Sequence, residues 1–203
     1  MIRKMVKFWS FIGFVLVASN IFAQEMPEDA SSEEIIAFII EQKHSNPDLA
    51  NKYAQILLEK SKQTHNDRGV YNVYIELSRI ANIEGNYELA IQYSDAAIAS
   101  ADVLKDETSK AVAFLVKGNA IVYLGDNKGA LENYLKALDI GNKRKEVEII
   151  IRAKANIAKV KRRMEVFEEA LEIYKHNAQL AEKHQFEDQL IVINSDMAVG
   201  GTF

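Results

Sequence analysis

From Ser31 onward, apolar residues recur at helical spacing, as in Tyr74, Leu77 and Ile80 or in Phe114, Leu115 and Ile121. The pattern then copies itself. Asp48-Leu49-Ala50-Asn51-Lys52-Tyr53-Ala54 superposes on Glu88-Leu89-Ala90-Ile91-Gln92-Tyr93-Ser94, on Lys128-Gly129-Ala130-Leu131-Glu132-Asn133-Tyr134 and on Glu168-Glu169-Ala170-Leu171-Glu172-Ile173-Tyr174. The central alanines stand at 50, 90, 130 and 170, three equal steps of 40. Twelve positions before each lies a second column, Phe38, Ser78, Gly118 and Ala158, which continues to Ala198; apart from Phe38 its members are small. Periodicity of this kind marks stacked repeats, no one of which buries its apolar face unaided.

Each unit reads as two helices joined by a tight turn. In Glu84-Gly85-Asn86 and Leu124-Gly125-Asp126 the glycine supplies the left-handed conformation that ends one helix, and the next residue caps the following one. Asn46-Pro47-Asp48 serves the same purpose with proline at the first helical position, and Ser31 with Glu34 forms a capping-box pattern. Polar stretches such as Thr64-His65-Asn66-Asp67-Arg68 and Lys105-Asp106-Glu107-Thr108 reverse the chain between units. The spacing predicts helix pairs at about 31–45/47–64, 69–83/86–103, 108–124/126–140 and 144–163/166–184, with a ninth helix from Glu187. The units are 31–68, 69–107, 108–143 and 144–186, with a half unit 187–203. Small residues facing each other across the two columns let paired axes approach closely.

These columns resemble the tetratricopeptide repeat family. The third unit carries the pattern most fully, in Gly118-Asn119-Ala120-Ile121-Val122-Tyr123-Leu124-Gly125-Asp126 followed by Ala130, Tyr134 and Ala137. The second follows with Leu77, Ala81, Gly85, Asn86, Tyr87, Ala90 and Ala97. In the fourth, Glu165 replaces the turn glycine and Asn177 the later alanine; in the first, Phe38 sits in the small column. Lys117 stands where an apolar residue belongs. The step of 40 exceeds the family's usual ~34, so the helices are longer. The resemblance implies an all-α fold, a right-handed α-α superhelix of about four helix pairs plus a half repeat. It also implies that the first helices of the pairs line a concave surface that holds a peptide or partner protein.

Composition agrees with long helices: the 203 residues include 9 Gly and 2 Pro. There is no cysteine, which excludes disulfides, thiol nucleophiles, thiolate zinc sites and lipid attachment through cysteine. At the N-terminus Arg3, Lys4 and Lys7 precede an uncharged run from Phe8 to Ala23. A basic start, a short apolar run and a small residue read as a signal peptide over 1–23, with 24–30 a short linker. The run is short for a membrane span, although an uncleaved N-terminal anchor in the inner membrane is the alternative. The ending Phe22-Ala23-Gln24 resembles those of exported Bacteroidota proteins, and with the signal-peptide pattern it implies export to the periplasm or cell envelope. The formal charge of −4 and export both disfavour nucleic acid.

No constellation for catalysis, metal or cofactor is legible. His44, His65, His176 and His184 include no pair three or four apart, and Gly200-Gly201 is no phosphate-binding loop. The adjacent acids Glu33-Glu34 and Glu168-Glu169 point apart on a helix. A non-catalytic binding scaffold is the reading that remains. Carried over by position, the candidate partner-binding residues are Asn72, Ile75, Arg79 and Asn82, then Leu115, Asn119, Val122 and Tyr123, then Arg152, Ala155, Lys159, Arg162 and Arg163. Between Lys143 and Arg163 nine Lys or Arg face only Glu146 and Glu148, a local +7 that suits an acidic partner segment. A solvated helix face explains the same run equally well.

Leu190-Ile191-Val192-Ile193, Met197, Val199 and Phe203 match the first helix of a fifth unit whose second helix is absent. Closing helices of repeat arrays carry a polar outer face. This apolar one implies self-association, docking on another protein or a continuation of the chain. Signal peptides followed by such repeats also resemble the periplasmic arms of Bacteroidota sensor kinases and regulators, so a sensory arm is the second functional reading.

Overall fold

From Pro47 onward a helix begins every twenty residues. In the computed structural model, which describes residue 27 and residues 29–200, the helices are α1 (Ser32–Gln42), α2 (Pro47–Gln63), α3 (Asp67–Ile83), α4 (Tyr87–Val103), α5 (Glu107–Tyr123), α6 (Asn127–Arg144), α7 (Val147–Arg163), α8 (Phe167–Lys183) and α9 (Glu187–Gly200). The expected signal segment 1–23 and residues 201–203 lie outside the described residues. No strand occurs among those described.

The turns explain the step. One residue of each turn after the first takes a positive φ: His65, Gly85, Lys105, Gly125, Lys145, Glu165 and Gln185, again twenty apart. Behind it the next amide reaches back to close the helix, as in Asn66 N to Ser61 O (2.9 Å), Asn86 N to Ala81 O (2.8 Å) and Asp106 N to Ala101 O (3.0 Å). This is the backbone pattern of a Schellman ending, and only two of the seven positions have the glycine that suits it. Asn46, Asn66, Asp106 and Asp126 then cap the following helices through their side chains, and Ser31 with Glu34 makes the full capping box on α1.

The sequence ends the sixth helix at 140, but the chain stays helical to Arg144. Gly141 is a contact residue within it: a Cβ there would stand 3.1 Å from side-chain atoms of Ile149 and Ile150, so glycine lets α6 and α7 close on each other.

Consecutive helices pack as neighbours along the whole array. Ala50, Ala90, Ala130 and Ala170 are all buried, as are Ser78, Gly118 and Ala158. The second column trades volume with a position on the partner helix: Phe38 faces the unit whose α2 carries Ala54, whereas Gly118 lies against Tyr134. Between them, Ser78 and Ser94 are joined by hydroxyls 2.8 Å apart, and both bond the Ala90 carbonyl. Phe38, out of place by size, uses the space left by Ala54 and meets Tyr53 edge-on at 5.1 Å. Lys117 fits because its ammonium leaves the apolar layer to reach Asp95 at 2.6 Å. Asn177, in an alanine position, is fully buried and donates to the Ile151 carbonyl at 2.8 Å.

Each odd-numbered helix also runs close against the next odd one, while the even helices stand farther apart and meet through side chains, as where Gln55 of α2 donates to Tyr93 of α4 at 3.2 Å. Rows that run close on one side and stand apart on the other bend the array toward the close side. The odd helices therefore form the inner, concave row. This architecture is a tetratricopeptide-repeat-like helical solenoid.

Candidate functional site

The inner row is stitched by polar pairs between one odd helix and the next. Lys43, just beyond α1, donates to Glu76 of α3 at 2.9 Å, and Arg79 grips the other oxygen of the same buried carboxylate. Asn156 of α7 donates to Asn119 Oδ1 of α5 at 3.3 Å, and Tyr134 OH donates to that same oxygen at 2.8 Å. Lys159 of α7 lies 3.1 Å from Asp196 of α9. Glu76, Asn156 and Asp196 occupy one column of the 40-residue step.

Two adjoining hollows open on this face and share Asn119, Asn156 and Lys159. One of about 320 Å³ is lined further by Val122, Tyr123, Tyr134, Arg162 and Arg163. The other, of about 400 Å³, runs along Glu148, Ile151, Arg152 and Ala155 to Asp188 and Val192. Together they make a trough along α7 between α5 and α9. Its walls bring together eight of the residues picked from sequence: Asn119, Val122, Tyr123, Arg152, Ala155, Lys159, Arg162 and Arg163. Asn72, Arg79 and Asn82 on α3 do not line it.

The trough is less basic than the sequence run indicates. Of the nine cations between 143 and 163, Lys143 turns to Asp139 at 2.6 Å and Lys161 to Glu169 at 2.5 Å. Lys154 lies in an apolar groove on the opposite, even-helix side, with Leu135, Ile173 and His176. Arg152 lies 3.7 Å from Glu148, and Arg162 makes a long contact of 3.4 Å to the Asp196 carbonyl. Burial lowers the Arg152 pKa from its usual value; Arg79 across the row pushes the same way, and Glu148 opposes them. Burial raises the Tyr134 pKa, with Tyr123 acting in the same sense, which keeps its hydroxyl protonated as the donor to Asn119.

Tyr123 stands at the rim, 61% exposed, its ring stacked on Tyr87 at 5.1 Å and 8°. A rigid aromatic plate beside Arg162 and Arg163 offers apolar contact next to positive charge. Asn156 and Asp188 complete the walls, Asp196 adjoins them through its pair with Lys159, and all three are absent from the sequence-derived set. The 40-residue step held the signal for two of them: Asp188 lies 40 after Glu148, and Asp196 lies 40 after Asn156. No group of three or more His, Cys, Asp or Glu with metal-holding geometry occurs among the described residues. No described helix is long and apolar enough to cross a membrane.

No protein-family model matches the chain, and no curated protein does. Among solved structures, the fold is similar to that of a Signal Transduction ATPase with Numerous Domains (STAND) protein with a tetratricopeptide repeat sensor from Pyrococcus horikoshii. The TM-score is 0.71 at 13% identity, covering 85% of this chain. The chain spans 28% of the length of that protein. At this identity the likeness concerns the fold, and it agrees with the tetratricopeptide-like architecture that the repeat columns imply.

Proposed function

We propose that the chain is a non-catalytic protein-interaction scaffold of the cell envelope, holding a peptide or partner segment in the trough on the inner face of α5, α7 and α9. The observation that carries this reading is the convergence of Tyr123, Arg152, Lys159, Arg162 and Arg163 with the amides of Asn119 and Asn156 on one concave surface. Cations on an inner face, beside an exposed aromatic ring and amides, suit an extended segment bearing carboxylates. Nucleic acid is disfavoured by the acidic walls at Glu148 and Asp188 and by Asp196 beside Lys159.

The test is fluorescence anisotropy of a labelled, glutamate-rich peptide against the full chain and against Arg152→Glu with Lys159→Glu and Arg163→Glu. Binding lost in the triple variant and weakened by salt supports the trough. Binding indifferent to both the variant and salt overturns it. The envelope location rests on the N-terminal pattern; N-terminal sequencing that begins at Gln24 would support export, and retention of Met1 in a membrane fraction would favour the anchor.

The second reading is the sensory arm of a signalling protein. It is favoured by the similarity to a repeat array described as a sensor, in a protein of which this chain spans only part. A reading frame that resumes with a membrane span and an output domain would select it over the free scaffold.

A further inference from the structure

The outer furrows between successive even helices follow one plan, from which the third departs. Between α2 and α4 the furrow holds two rings, Tyr74 of α3 and Tyr93 of α4, with centroids 6.3 Å apart. Between α4 and α6, Phe114 of α5 takes the place of Tyr74, 40 residues on. The Lys136 ammonium lies 5.4 Å from the centre of that ring, and Lys117 pairs with Asp95 at 2.6 Å. Between α6 and α8 the same column brings Lys154, and neither Phe nor Tyr lines the furrow. What remains is a hollow of about 560 Å³, walled by Leu135, Ile157, Ile173 and Leu180 beside Lys154 and His176.

The exchange alters charge as well as volume. Leu135 replaces Asp95, the acid of the preceding furrow, and Ile157 replaces its partner Lys117. No acid lines the hollow. Lys154 is half-buried and has no hydrogen bond or ion pair among the described residues. A cation set among aliphatic side chains gives up hydration and gains no counterion, so an incoming anion would satisfy it. The two filled furrows are closed from within, by the odd helix beneath and the second of the flanking even helices. A chain running on past α9 would therefore bound the next furrow, on the far side of α8, and leave this one open.

We propose that this hollow binds a small aromatic carboxylate. Its ring takes the place that the Phe114 ring holds in the preceding unit, and its carboxylate rests on the Lys154 ammonium. His176, at the position of Lys136, borders the seat of the ring. The repeat supplies the shape of the ligand, since this space is ring-filled in both earlier furrows, and the unpaired lysine supplies its charge. An aliphatic wall with one cation to fix orientation, around a volume of this size, is the ordinary make-up of a small-molecule site. The hollow faces away from the inner trough, and neither reading depends on the other.

The probe is naphthylacetate, titrated calorimetrically into the full chain beside its neutral isostere naphthylacetamide and the aliphatic octanoate. Saturable binding of naphthylacetate is expected, with the amide and octanoate each about tenfold weaker. Lys154→Met keeps the aliphatic stem; it should weaken naphthylacetate about tenfold and leave the amide unchanged. Lys154→Phe rebuilds the preceding furrow, so it should abolish binding and raise the unfolding midpoint. The Arg152, Lys159 and Arg163 reversals should change nothing. Absence of saturable binding, or binding indifferent to Lys154→Met, overturns the inference. Octanoate bound as tightly as naphthylacetate also overturns it, because the hollow then selects no ring. Binding lost only in the three reversals puts the carboxylate in the trough, which overturns this site and leaves the trough reading standing.

Discussion

Gly118 lies so close to Tyr134 that a Cβ built on it would stand 2.4 Å from Cε1 of the ring. Tyr134 cannot swing aside freely, because its hydroxyl is held by Asn119 at 2.8 Å. Gly118→Ala should therefore force a shift in the α5–α6 contact and cost about 1–3 kcal/mol. For a chain of this size that lowers Tm by roughly 2–4 °C per kcal/mol, measurable by calorimetry. Transplanting the neighbouring unit's solution, Gly118→Ser together with Tyr134→Ser, should recover part of the loss, as Ser78 and Ser94 coexist at 2.8 Å. Single and double variants that cost the same would show that the two positions do not share one space.

Glu165 occupies a turn position with φ of 62°, where the equivalent Gly85 and Gly125 have 78° and 84°. A side chain in the left-handed region costs roughly 1–2 kcal/mol, and the added freedom of glycine in the unfolded chain returns part of that. Glu165→Gly should stabilise the chain by about 0.5–1 kcal/mol, read as a higher urea midpoint with unchanged slope. Gly125→Glu should do the opposite. A destabilised Glu165→Gly would mean that the turn does not impose the left-handed conformation.

These two residues also show what was legible beforehand. The small columns are visible in the residues because any closely approaching pair of axes demands them, so Ala50 to Ala170 announce the packing and the step of 40. The finer step of twenty is silent. Its turns are imposed by backbone hydrogen bonds, which His65, Lys105, Lys145, Glu165 and Gln185 accept without any shared side chain. The inner cations of α7 follow from helical spacing. Asp188 and Asp196 follow only from the 40-residue step, which sets them in register with Glu148 and Asn156, since helical spacing within one helix does not show where α9 meets the trough.

Glu76 is 4% exposed, with Lys43 on one oxygen and Arg79 on the other. Glu76→Gln removes the charge and leaves two cations facing each other at a buried site, a loss on the order of 3 kcal/mol. Adding Lys43→Met should recover more than half of it, because one orphaned charge goes with the partner. Chemical denaturation of the three chains gives the cycle. Strictly additive effects would show that the bonds are not coupled.

Asp106 caps α5, accepting from Ser109 N at 3.0 Å and Ser109 Oγ at 2.8 Å, and from Arg68 of α3 at 2.7 Å. The Ser109 amide, with Arg68 and the Ser109 hydroxyl adding to it, holds the Asp106 carboxyl down at about 2, below its ordinary 3.8. A folded-state pKa below the unfolded one stabilises above the unfolded value, and that contribution disappears as pH falls from about 4 toward 2. The wild type should lose more stability across this window than Asp106→Asn, which keeps a capping oxygen without the charge. Urea melts at pH 5, 3 and 2 decide it: parallel losses in the two chains would exclude Asp106 as a source of the acid sensitivity.

The acids of α9 limit what the trough can hold. Asp196 engages Lys159 at 3.1 Å, and the Lys159 side chain is still 40% exposed, so the pair contributes little to folding but competes for the cation with any incoming carboxylate. Asp196→Asn frees Lys159 without changing the shape of the wall. A hexaglutamate peptide should then bind about threefold tighter, equivalent to roughly 0.6 kcal/mol. The gain should vanish when Lys159→Met is added, since the competition runs through that one ammonium. Titration calorimetry of the three chains measures it at low salt, where the effect is largest. An affinity unmoved by Asp196→Asn would mean that Lys159 does not contact the peptide, leaving Arg152, Arg162 and Arg163 as the only trough cations able to do so.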